Sequence, residues 1–143
     1  MGRTMNKDTD IEKIRVILVE AGTYPKVVEI ENTLANLMEL VDGEIEEYMP
    51  FEDEVAVICN KNGLENALEP NRAVYTSDGI FLDVICGNFL LVCAPFDDFS
   101  YKNMPDELLT KYEELFKYPQ RFKESTDGII VKSYVPDTEG TSE

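Results

Sequence analysis

Residues 78–96, DGIFLDVICGNFLLVCAPF, hold two apolar runs pinched at Gly87 and Asn88. Glycine and asparagine tolerate the positive φ of a tight turn, so the segment is either a hairpin or one bent strand with a bulge. The hairpin leaves strands of about five or six residues, close to the usual length.

The neighbouring runs have a similar character. KIRVILVE, from Lys13, places Ile14, Val16 and Leu18 on one face and Arg15, Ile17 and Val19 on the other, as in a strand whose second face is also largely buried. AGTYPK is turn-like, and KVVEIE resumes as a short strand, so the two form a hairpin. EIEEYMPFEDE alternates weakly, and EVAVIC is a strand with Val55, Val57 and Cys59 facing one way. Two segments change period from two to 3.6. Leu34, Leu37, Met38 and Val41 predict a helix over about 33–42, capped by Asn32 and closed by Gly43. Pro105, two early acids and the stripe Leu108, Leu109, Tyr112, Leu115 and Phe116 predict a second helix over about 105–118, ended by Pro119. GIIVKSYV adds a last strand. The order β-β-α-β-β-β-β-α-β predicts a single compact α+β domain with a mainly antiparallel sheet. Its expected bounds are 11–135, between a flexible leader at 1–10 and a disordered acidic tail at 136–143.

Composition narrows the function classes. The chain has 29 acidic and 13 basic residues, a formal charge of −16, which repels phosphate backbones and anionic lipid and attracts a basic partner. Direct nucleic acid binding and membrane binding are not expected. No apolar run approaches the roughly 20 residues of a spanning helix, which with the polar N-terminus predicts a cytoplasmic protein. The three cysteines, Cys59, Cys86 and Cys93, lie in or beside apolar runs without a CxxC pair and read as small buried hydrophobes. There is no histidine, which removes the commonest general base and metal ligand, and no nucleophile or phosphate-loop motif is present. No enzymatic activity, cofactor or metal is expected.

Two stretches carry the functional expectations. ELVDGEIEEYMPFEDE, residues 39–54, holds eight acids, Glu39, Asp42, Glu44, Glu46, Glu47, Glu52, Asp53 and Glu54, and no basic residue occurs between Lys26 and Lys61. Such a run is either a solvated surface or a negative face for a basic groove on another protein. CNKNGLENALEPNRAVY, residues 59–75, starts with turn chemistry at Asn60, Asn62 and Gly63 and continues into a proline-stiffened Asn71 and Arg72. Arg72 either pairs with a nearby carboxylate or, with Asn60, Asn71 and Tyr75, forms a polar recognition loop for a carboxylate or phosphate.

IRVILVEAGTYPKVVEIENTLANLMELVDGEIE, FEDEVAVICNKNGLENALEPNRAVY and DVICGNFLLVC together resemble an uncharacterised domain family of bacteriophages and integrative conjugative elements of gut Firmicutes. The resemblance spans roughly residues 13–122. Its most specific parts are the run from Asn32 to Glu46 and the loop bearing Asn60, Gly63, Asn71 and Arg72, with Gly87 beyond. It implies a setting near antirestriction and DNA-processing proteins and no particular activity. With the acidic run, it leads to the expectation of a small non-enzymatic accessory protein in a bacterial host cell. Such a protein binds and inhibits a host defence or nucleic-acid-binding protein by occupying its basic groove. A nucleotide sponge using Asn60, Asn71, Arg72 and Tyr75, and a structural interaction module, are the alternatives.

Overall fold

The computed structural model describes residues 11–136. The expected leader, and the expected tail apart from Pro136, lie outside them. The chain runs β1 (Lys13–Val19), β2 (Lys26–Glu31), α1 (Leu34–Val41), β3 (Ile45–Tyr48), β4 (Val55–Asn60), β5 (Pro70–Tyr75), β6 (Phe81–Cys86), β7 (Phe89–Cys93), α2 (Asp106–Leu115), β8 (Gln120–Ser125) and β9 (Gly128–Ser133). Every strand pairing is antiparallel, and the fold is α+β.

The central sheet has the order β2-β1-β7-β4-β3, and β7 is apolar and buried at every position. A strand of that kind needs cover on both faces. Its register provides two layers. Ile17, Leu91 and Val57 lie in one row, and Leu18, Leu90 and Ile58 lie in the next, on the opposite face. The first face packs against Val74 and Ile85 of the β5–β6 hairpin and against Leu109, Tyr112 and Phe116 at α2. The second packs against Leu37 and Val41 of α1.

The segment 78–96 is therefore not a hairpin. β6 pairs with β5 while β7 lies between β1 and β4, so the chain passes from one sheet to the other at Gly87. Gly87 has φ +93, and a Cβ there would lie 2.7 Å from Leu68 Cδ1. Its N–H donates to the Glu69 carbonyl at 2.8 Å. Only glycine meets both the conformation and the close approach.

Three further expectations change. Thr33, not Asn32, caps α1, its Oγ1 accepting from the Asn36 N–H at 3.1 Å, while Asn32 Nδ2 donates to the Tyr101 carbonyl. Gly43 does help close α1, donating to the Met38 carbonyl behind a left-handed Asp42. Helix α2 stops at Leu115, and the chain after Pro119 forms β8, which pairs with β9 from Gln120↔Ser133 to Ser125↔Gly128. Finally, PNRAVY is a strand, not a loop.

Candidate functional site

Among the described residues β3 forms one edge of the central sheet and is hydrogen-bonded only to β4. Strand alternation divides its side chains: Ile45 and Glu47 face the α1 layer, while Glu46 and Tyr48 face the β5–β6 layer. The eight acids of residues 39–54 are thus not one continuous face. Glu39 lies in α1, Asp42 follows its last turn, and Glu44 precedes β3; these three, with Glu46, Glu47 and Glu52, are exposed. Glu47 Oε1 accepts from the Tyr101 hydroxyl at 2.8 Å, and burial together with that bond raises the Tyr101 pKa.

The last two acids of the run are engaged within the fold. Asp53 Oδ2 accepts from Lys111 Nζ at 2.6 Å and from the Tyr112 hydroxyl at 2.9 Å, and these two bonds hold its carboxyl below the ordinary value of 3.8. Glu54 Oε2 accepts from the Phe96 N–H at 2.9 Å.

The polar residues of the 59–75 stretch turn inward. Asn60 Nδ2 donates to the Val41 carbonyl, and its Oδ1 accepts from the Asn62 N–H, tying the end of β4 to the end of α1. Asn71 Nδ2 donates to the carbonyls of Val19 and Gly87. Arg72 is 1% exposed. Its Nε donates to the Phe116 carbonyl at 3.0 Å, Nη1 to Asn71 Oδ1 at 2.9 Å and Nη2 to the Thr23 carbonyl at 2.7 Å.

No carboxylate pairs with Arg72 among the described residues. The Phe116 carbonyl closes α2, where the helix dipole is negative, and so partly offsets the buried cation. Burial lowers the Arg72 pKa to about 10, which leaves the group charged at neutral pH. Both expectations for Arg72, a surface ion pair and an anion contact, therefore give way to a structural role. Of the four ligand candidates only Tyr75 is exposed.

Two of the surface clefts among the described residues have volumes near 700 Å³. The first, about 700 Å³, lies between β5, α2 and the turn before β4, and its lining includes Phe51, Asp53, Tyr75, Lys111, Tyr112 and Gln120. The second, about 720 Å³, lies beside β6, and its lining includes Glu46, Tyr48, Phe81, Leu82, Phe122 and Ile129. Asp53, Glu46 and Tyr75 were legible as candidates, but the aromatic walls come from elements distant in sequence, and no local spacing marks them. Cys59 faces the second cleft with its thiol pushed up to about 12 by burial and by the charges of Glu46 and Asp83, so it is no nucleophile there. Among the described residues no group of three or more histidine, cysteine or acidic side chains is placed to hold a metal ion, and no helix is long and apolar enough to cross a membrane.

An α+β domain with an acidic sheet edge and surface clefts is the class that fold and geometry define. The chain belongs to the family described as Domain of unknown function (DUF3846), whose model matches residues 14–117. The match takes in every element from β1 to α2 apart from Lys13, and the β8–β9 hairpin follows it. Comparison with curated proteins and with solved structures gives no match.

Proposed function

We propose that this chain is a non-enzymatic accessory protein of a phage or mobile element that binds a basic surface on a host defence protein and blocks its nucleic-acid groove. It acts in the cytoplasm of a bacterial host and resembles nucleic acid to its target through its charge. The observation that carries this proposal is the β3 edge. One side of that strand is unpaired among the described residues, Glu46 and Glu47 project from its two faces, and Asp42 and Glu44 lead into it. Exposed carboxylates on an unpaired edge discourage pairing between copies of the chain and attract lysine and arginine. The test is capture from a host lysate with elution in rising salt, repeated with Glu44, Glu46, Glu47 and Glu52 all changed to lysine. The partner should elute early in the salt series and be lost from the reversed variant; unchanged capture and inhibition by that variant contradict the proposal.

A small-ligand function has support in the first cleft, where Phe51 and Tyr75 offer ring faces beside the Asp53–Lys111 pair. Arg72 lies in the inner lining of this cleft, but its guanidinium is committed to oxygens of the fold. Tyr75→Ala, which trims an exposed ring, should abolish retention of a small molecule by the native protein; mass spectrometry showing equal retention excludes this function.

A further inference from the structure

Among the described residues strand β6 is paired on one side only, and its residues Phe81–Cys86 line the second groove. Phe81 is 45% exposed, Leu82 43% and, across the groove on β9, Ile129 49%. Three large, partly exposed apolar side chains therefore line one depression, unlike isolated apolar residues scattered over a surface. The carboxylates of Glu46, Asp83 and Glu124 line the same groove and outnumber its two ammonium groups, Lys61 and Lys123. Both Glu46 and Asp83 are exposed, so their charge is open to a partner at this groove. On the free edge, the Val84 N–H is met at 2.8 Å by the side chain of Asp83, the neighbouring residue, so this donor is held by a carboxylate rather than by a strand.

We infer that this groove receives an extended segment of a partner protein in which apolar side chains alternate with lysine or arginine, laid along the free edge of β6. The inference takes only the sign of the partner's charge from the function proposed above. An extended segment sends alternate side chains to opposite sides, so its apolar set can enter between Leu82 and Ile129 while its cations reach Glu46, Asp83 and Glu124. A second copy of this chain fits less well, because each copy carries a formal charge of −16.

The test uses the full-length ¹⁵N-labelled protein and two capped peptides of equal charge, Gly-Lys-Leu-Lys-Phe-Lys-Leu-Lys-Gly and the same peptide with serine at each apolar position. The apolar peptide should shift the amides of Phe81–Val84 and Ile129 and bind at least tenfold more tightly than the serine peptide. Leu82→Ser and, independently, Ile129→Ser should remove that preference while amide dispersion stays native; both positions are well exposed, so folding is not at risk. Equal affinity for the two peptides overturns the groove but leaves acidic docking standing. Absence of binding by both peptides overturns both. A concentration-dependent dimer that Leu82→Ser dissociates overturns the inference in favour of self-association.

Discussion

Arg72 is the largest of the fully buried side chains and joins three separate segments through neutral carbonyls: the turn after β1, strand β5 and the end of α2. Arg72→Ala leaves those acceptors unpaired beside a cavity and should cost about 3 kcal/mol in urea unfolding. Arg72→Lys should recover only part of this, because one ammonium cannot span acceptors that the planar fork reaches together. A lysine variant as stable as the parent contradicts the geometry. Gly87 and Gly79 provide an internal comparison, since both have positive φ but only Gly87 is crowded. Gly79→Ala should cost about 1 kcal/mol from backbone strain alone, and Gly87→Ala more, because Leu68 or the link between the two sheets must move. Asp53 gives a pH signature. Its folded pKa is lowered, so its stabilisation is complete above 3.8 and is lost as the pH falls through the lower folded value. Asp53→Asn should therefore flatten the acid limb of the stability curve, and an unchanged limb counts against the Lys111 and Tyr112 bonds.

At the scale of elements, legibility followed hydrophobic pattern. β1, β4, β7 and both helices were readable, because each carries an apolar stripe or run that its local sequence displays. β5 was not, because PNRAVY contains a proline, an amide and a cation. Its polar groups are satisfied by Val19, Thr23, Gly87 and Phe116, none of which lies within a few residues. β8 was hidden for the opposite reason: QRFKES is largely exposed and has no stripe to display. The acidic run was legible as charge but not as geometry, since an edge strand divides its acids between two faces. The β8–β9 hairpin pairs only with itself and touches β5 through Gln120 Oε1, which accepts from the Ala73 N–H at 2.8 Å. Its amides should exchange with deuterium well before those of β4 and β7, which lie inside the central sheet. Equal protection across the three elements would show a tighter attachment than this packing provides.

For the whole molecule, the question is whether the charge of −16 acts as a diffuse field or at one place. The two edges of the central sheet allow these to be separated. β3 carries Glu46 and Glu47, with Glu44 one residue before it, while β2, on the far edge, carries exposed Glu29 and Glu31. Changing two glutamates to lysine on either edge alters net charge equally, so a diffuse field predicts equal effects and a docking edge predicts unequal ones. The decisive measurement is the affinity of the captured basic partner for Glu44→Lys/Glu46→Lys and for Glu29→Lys/Glu31→Lys at the same ionic strength. The β3 pair should weaken binding at least tenfold and the β2 pair by much less; equal losses from the two edges, or a greater loss from β2, contradict docking at β3.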